Sequence, residues 1–281
     1  MSNCESCGSK NTCTSKEECS KMFPKYGKIS NVIGVMSGKG GVGKSTVTGI
    51  LATQLRNSGY KVGVLDADIT GPSIPRFFGI HGNRANIIPM DNSEEVQIIP
   101  VTTETGIKVM SLNLLIEHEE QPVIWRGPVI TGALTQMFSD TKWEELDFLL
   151  IDMPPGTGDV SLTIMQSLPV DGMVIVSTPQ DMVTMIVKKV VLMAEKMNVK
   201  TIGVVENMSY AICDKCGEKM RIFSKKSGTE QADALGIPLI AELPIDLKLI
   251  ENMEEGKVEE YLNSTDLYNN LVSNLYNNLQ R

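Results

Sequence analysis

The chain of 281 residues is 42% hydrophobic and 21% charged, the makeup of a folded globular protein, which excludes collagen-like, coiled-coil and wholly disordered architectures. With 26 Lys and Arg against 34 Asp and Glu, the formal net charge is -8, so nucleic acid and anionic membrane surfaces, which recruit clustered cations, are not expected partners. No apolar run approaches the roughly 20 residues of a bilayer crossing, and residues 1–20 hold no signal-peptide core, so a cytoplasmic placement is expected.

Residues 1–28 are dominated by Ser, Lys, Glu, Asn and Cys and read as an extension that stays loose unless a metal or partner orders it. They carry Cys4, Cys7, Cys13 and Cys19 in a C-x2-C-x5-C-x5-C spacing, four thiols that suffice for one metal centre. Residues 29–281 read as one domain. Short β-branched apolar runs predict strands over 32–36, 62–66, 96–101, 108–111, 148–152, 173–177, 202–205 and 239–241. Helical spacing predicts helices over 45–58, 129–139, 160–168, 182–197 and 228–235. Strands apolar on both faces that alternate with helices imply a doubly wound α/β architecture with a mostly parallel sheet. The stretch 79–120, richer in Asn, Glu and Pro, reads as an antiparallel or irregular excursion. The tail from Glu251, with Leu262, Leu267, Leu271, Leu275 and Leu279, reads as a final helix packed on the domain.

Directly after the first strand, Gly38-Lys39-Gly40-Gly41-Val42-Gly43-Lys44-Ser45-Thr46 satisfies the phosphate-loop pattern G-x-x-x-x-G-K-[ST] in the strand-to-helix context it requires. Glycines let the backbone aim several N–H groups at phosphate oxygens, Lys44 is expected on the β- and γ-phosphates, and Ser45 on Mg2+. Asp66 and Asp68 follow the second strand, where a carboxylate can orient a water toward the γ-phosphate or help hold the metal. The apolar run ending in Asp152 is a Walker B arrangement. The Pro- and Gly-rich residues 153–158 after it form a loop suited to switching between conformations. Asn207, at the end of a later strand, reads by itself as a cap or turn residue. Cys213 and Cys216 form a C-x-x-C pair that can chelate a metal, form a redox disulfide or do neither; a tetrathiolate centre needs four ligands, which two copies of the chain would supply. His81 and His118 stand apart from each other and from any metal-spaced partner.

The early Lys39 makes the loop a G-K-G-G-x-G-K-[ST] variant. In this it resembles the deviant Walker A ATPases, which include the MinD and ParA partitioning proteins, the nitrogenase iron protein and the Mrp/Nbp35 iron-sulfur carriers. The string from Asp152 to Asp159 and the upstream Trp125-Arg126-Gly127-Pro128 are close to the Mrp/Nbp35 branch, and the resemblance spans about residues 30–249. It implies a slowly hydrolysing ATPase in which Lys39 reaches a homodimer partner's nucleotide, Asp68 activates water, Ser45, Asp66 and Asp152 serve Mg2+, and Asn207 reads the adenine edge. It also implies that Cys213 and Cys216 of two subunits bridge a labile [4Fe-4S] cluster, taken from a donor and passed to apo iron-sulfur proteins. Zinc is the rival metal for the same thiolates. Nbp35-type proteins carry an amino-terminal four-cysteine site as well. Cys4, Cys7 and Cys13 match its last three ligands, whereas Cys19 lies downstream instead of upstream. The alternative within the class is a MinD- or ParA-like spatial organiser with a zinc-stapled dimer, which calls for a basic amphipathic tail or patch where this chain has an Asn- and Glu-rich tail. An electron donor like the nitrogenase iron protein would place single cysteines at two separated positions, unlike the local pair here.

Overall fold

The computed structural model describes residues 21–69, 71–90, 95–117, 127–179, 184–213 and 215–280. Cys4, Cys7, Cys13, Cys19, His118, Trp125, Arg126 and the first residues of the helix expected from Met182 lie outside the described residues. Strand β1 (Tyr26–Ser37) leads through the phosphate loop into α1 (Lys44–Asn57), β2 (Val62–Asp66) and the short α2 (Ile74–Phe77). Strands β3 (Asn86–Pro89), β4 (Val96–Ile99), β5 (Val101–Thr102) and β6 (Lys108–Ser111) precede α3 (Gly127–Ser139), β7 (Lys142–Asp152), α4 (Asp159–Ser167), β8 (Gly172–Ser177) and α5 (Thr184–Lys196). The chain ends with β9 (Lys200–Ile212), β10 (Lys219–Met220), α6 (Gly228–Leu235), β11 (Leu239–Pro244), α7 (Leu247–Glu254), α8 (Val258–Ser264) and α9 (Asn270–Leu279).

The main sheet runs β5-β6-β2-β7-β1-β8-β9-β10, with β11 also on β9. All its neighbours pair in parallel except β5 on β6 and β10 on β9. Alternation along β1 sorts the core. Ile33 and Val35 face the layer of α1, α2 and α7 to α9, while Val32 and Met36 face α3 to α6. Apolar side chains on both faces of one strand are what force helices onto both sides of the sheet. Among the described residues no helix is long and apolar enough to cross a membrane.

The differences from expectation have local causes. Strands β1 and β7 begin at residues 26 and 142, before 32 and 148, because their charged lower halves pair with each other, residues 26–29 along residues 142–146. The division expected after residue 28 therefore falls inside β1, and residues nearer the start are tied down too, with Met22 N–H on the Ser167 carbonyl and Lys25 Nζ 3.0 Å from Asp140. The single strand expected over 96–101 is broken at Pro100, which has no N–H for a ladder. Its first part pairs antiparallel with β3 in a separate two-stranded sheet and its second part with β6, so the 79–120 excursion is real. The strand expected over 202–205 runs on to Ile212 as β9.

The tail is three helices instead of one, divided where Gly256 adopts φ 72 and Thr265 is extended. Asp246 organises it. Its carboxylate caps α7 through Leu249 N–H (3.2 Å) and accepts from Tyr261 Oη (2.7 Å) and Tyr268 Oη (2.8 Å). Burial and the adjacent carboxylate push the Tyr261 phenol up to about 12 and Tyr268 higher still. Phenols raised above their unfolded value contribute stability that is complete below about pH 10 and lost as pH rises through the folded values. Tyr268→Phe should lower unfolding free energy at neutral pH by about 1 kcal/mol. In urea titrations from neutral to about pH 11, a Tyr261→Phe/Tyr268→Phe protein should show a shallower alkaline loss than the parent; an equal loss would show that the phenols do not set it.

Candidate functional site

The carboxyl ends of β1, β2, β7, β8 and β9 meet at one edge of the sheet, where an open α/β sheet binds its ligands. The loop leaving β1 is braced by Ser37 Oγ, which donates to the Lys39 carbonyl (2.9 Å), and turned by Gly41 and Gly43 at φ 80 and 78. Gly43 precedes the first turn of α1, whose amino end faces the same space. A Cβ at Gly43 would lie 2.3 Å from Asn207 Nδ2, whereas at Gly40 or Gly41 it would meet nothing within 4 Å. The loop is thus open on one side and packed against β9 on the other. Lys39 and Thr46 are half-buried, Lys39 early in the loop and Thr46 in α1.

Lys44 is buried, with Nζ 2.8 Å from Asp152 Oδ2, 3.6 Å from Asp68 Oδ2 and 3.3 Å from Ser45 Oγ. Ser45 Oγ donates to Asp152 Oδ2 (2.5 Å) and Thr48 Oγ1 to Asp152 Oδ1 (2.8 Å). Asp66 lies level with Asp152 in the β2–β7 register. It accepts from Asp68 N–H (3.3 Å), Ile74 N–H (3.4 Å) and Ser111 Oγ (3.1 Å), holding the turn into α2. Burial pushes both carboxyls up. Asp152 drives Asp66 further, well above the carboxylate range, while Lys44, Ser45 and Thr48 pull Asp152 back. One buried ammonium faces Asp66, Asp68 and Asp152, and a divalent cation placed there would favour their ionised forms. Among the described residues no three acidic, His or Cys side chains converge as a metal cage.

The loop after Asp152 docks on β1, with Met153 N–H on the Val35 carbonyl (3.0 Å) and Gly156 N–H on the Ser37 carbonyl (2.8 Å). It therefore touches the strand end that launches the phosphate loop. Asn207 is neither a cap nor a turn residue. It lies within β9, and its Nδ2 donates to the Val42 carbonyl (3.0 Å).

Beyond Asn207, β9 continues past the nucleotide edge and returns as β10, and the cysteine pair occupies the turn between them. Cys213 N–H donates to the Glu218 carbonyl (3.0 Å), Gly217 N–H to the Cys213 carbonyl (2.8 Å), and Gly217 takes φ 74. These bonds wrap the backbone into a tight knuckle. Cys213 is half-buried, Cys216 is exposed, and neither is in a disulfide. The structure so brings Lys44, Ser45, Asp66, Asp68, Asp152 and Asn207 to one site and sets Cys213 and Cys216 apart from it on a hairpin of the same strand. His81 lies in an exposed turn, its carbonyl accepting from Arg84. Sequence reasoning missed Thr48, though one helical turn beyond Lys44 was a signal for it. It also missed Ser111, Glu206, Ser209, Arg221 and Glu242, which no spacing rule connects.

A family model described as the NUBPL iron-transfer P-loop NTPase, of the ParA group, matches residues 28–280. An iron-sulfur cluster carrier protein of Clostridium perfringens is 62% identical, covering 98% of this chain and all of that protein. A protein of the same description from Methanocaldococcus jannaschii is 46% identical over 90% of this chain and 87% of its own. A nucleotide-binding protein of Archaeoglobus fulgidus, solved in complex with ADP, superposes with a TM-score of 0.71 at 43% identity, covering 83% of this chain and 89% of that one. MinD in its MinC complex from Aquifex aeolicus gives a TM-score of 0.62 at 19% identity over 89% of this chain and 96% of that one, a likeness of fold.

The contact between Gly43 and Asn207 yields a test. Gly43→Ala combines a left-handed φ with a clash on Asn207 and should weaken nucleotide binding, measured by calorimetry, by at least about tenfold. Gly82→Ala, outside the loop and with nothing within 4 Å of its added Cβ, should stay within about threefold. Equal effects would show that the β9 side of the loop does not shape the site.

Proposed function

Since the chain belongs to the iron-transfer P-loop NTPase family, we propose that it is an ATP-dependent iron-sulfur cluster carrier, in which Cys213 and Cys216 of two copies hold one [4Fe-4S] cluster destined for apo-proteins. The observation that carries this reading is that one strand, β9, bears Asn207 against the phosphate loop and the C-x-x-C knuckle at its far end. Two thiols per hairpin, half a tetrathiolate centre, support a shared site between two copies.

In this reading the glycine backbone of residues 38–43 cradles the phosphates, and Lys44 exchanges its contacts with Asp152 and Asp68 for the β- and γ-phosphate oxygens. Ser45 and Asp152, already hydrogen-bonded to each other, hold Mg2+, with Asp66 behind them keeping the turn that presents Asp68. Bound Mg2+ supplies neutralisation of the charge on the β- and γ-phosphates. Asp68, released from Lys44, orients the attacking water, Lys39 meets the nucleotide of the other copy, and Asn207 contacts the base. Slow hydrolysis is part of this reading, as the family resemblance implies. Cys4, Cys7, Cys13 and Cys19 form a second, separate metal site in this proposal.

Asp68→Asn should cut ATP turnover by roughly a hundredfold while leaving nucleotide affinity within about threefold. Cluster binding is tested by anaerobic purification with iron, sulfide and zinc quantification and absorption in the visible range. The Cys213→Ala/Cys216→Ala protein should lose about two irons per chain relative to the parent, whatever the amino-terminal site holds. Zinc without sulfide after anaerobic reconstitution would overturn the carrier reading in favour of a zinc-stapled ATPase. Iron that survives the substitutions would belong to the amino-terminal cysteines.

A further inference from the structure

The segment returning from the cysteine hairpin to α6, residues 221–227, has little apolar anchorage. Ile222 and Phe223 are 57% and 40% exposed, and residues 223–226 roof a cavity of about 610 Å3 that Glu206, Val187 and Gln231 help to line. Gln231 Nε2 is buried without a hydrogen-bond partner. Below this roof there is room for the segment to move, so polar contacts must hold it in place.

Arg221, the residue after β10, makes those contacts. Its Nη2 lies 3.0 Å from both carboxylate oxygens of Glu242 on β11, and its Nη1 donates to Ser209 Oγ on β9 (3.3 Å) and to the Lys226 carbonyl (3.4 Å). Ser209 passes the link on by donating to Glu206 Oε1 (2.6 Å). Glu206 and Glu242 are cross-strand partners in the β9–β11 register, two like charges side by side with Arg221 as the nearby cation. Burial pushes the Glu206 carboxyl up, Ser209 pulls it back, Glu242 raises it and Arg221 lowers it. Glu242 also accepts from Gly228 N–H at the start of α6, so one carboxylate ties both ends of the returning segment. The next residue after Glu206 is Asn207, bonded to the Val42 carbonyl in the phosphate loop. Between Asn207 and Ser209, Met208 takes φ 54, a left-handed conformation that a methionine adopts only under constraint. A continuous chain of contacts thus runs from the phosphate loop through Asn207, Glu206, Ser209 and Arg221 to the base of the cysteine hairpin.

We infer that Arg221 is a positioning residue for the cysteine pair, fixing the hairpin to the nucleotide-facing part of β9 so that nucleotide bound at the phosphate loop changes the accessibility of Cys216. The inference deepens the carrier reading and rests on it only in taking the phosphate loop as the nucleotide site. A chain of contacts transmits a change when its members have two arrangements, and the cavity under the roof leaves room for a second.

The test uses the full chain, reduced and metal-free. The alkylation rate of Cys216 by iodoacetamide is followed by peptide mass spectrometry with and without Mg2+ and a non-hydrolysable ATP analogue. In the parent protein nucleotide should change the rate by at least about fivefold. In Arg221→Gln the ratio should collapse to about one while analogue affinity stays within about twofold, and Glu242→Gln should reproduce the collapse. Arg221→Lys, which keeps the charge and loses the multiple contacts, should retain part of the ratio and guards against simple misfolding. An unchanged ratio in Arg221→Gln would overturn the assignment. So would a parent ratio of one, which would leave the carrier reading to stand or fall on iron and sulfide content.

Discussion

The parallel pairing of β1 with β7 is the constraint from which the site follows. It places Val35 level with Asp152, so the strand that launches the phosphate loop and the strand that ends in the Walker B carboxylate finish side by side. Lys44 and Ser45, carried on the first turn of α1, then have no choice but to meet Asp152, and β2 on the other side of β7 brings Asp66 to the same level. Burial makes this meeting energetically tense. Carboxyls taken out of water resist ionisation, and a single ammonium does not balance them. The phosphate-loop lysine is thus already engaged, on Asp152 and Asp68, within a cluster of buried carboxyls.

Strand β9 extends the same logic away from the phosphates. This strand of 13 residues pairs in turn with β8, β11 and β10, and its second half carries buried polar residues where an ordinary central strand carries apolar ones. Each of those polar residues has a partner outside its own neighbourhood: Asn207 on the phosphate loop, Ser209 on Glu206 and Arg221, Glu206 opposite Glu242. The strand is therefore both wall of the nucleotide edge and stalk of the cysteine knuckle. A rigid stalk gives the two functional ends a shared element, and the proposed carrier cycle uses that sharing.

Much of this was legible in the residue string because its determinants are local. The phosphate loop is nine consecutive residues with a lysine, a hydroxyl and glycines at fixed offsets, and the Walker B aspartate closes an apolar run; both stand where they were expected. Strands 62–66 and 108–111 and helix 228–235 coincide with β2, β6 and α6, since apolar periodicity and turn chemistry agree there. Where partners are distant in the chain the reading fell short. The charged start of β7 looks like loop until β1 lies beside it, Glu206 and Ser209 look like a strand end until Arg221 and Glu242 cover them, and the tail looks like one helix until Gly256 and the Asp246–tyrosine cluster fold it into three. Asn207 shows both sides of this. Its type alone suggested a cap, and only the packing against Gly43 reveals a strand residue sealing one flank of the loop.

The central claim is that one cluster is shared by the hairpins of two copies. Native mass spectrometry of the anaerobically reconstituted chain, carrying Ser at positions 4, 7, 13 and 19 so that only the hairpin thiols can bind, tests it most directly. The account predicts a cluster-bearing species of two chains with one set of four irons and four sulfides. A single chain retaining the whole cluster, or a two-chain species holding zinc in its place, would contradict it.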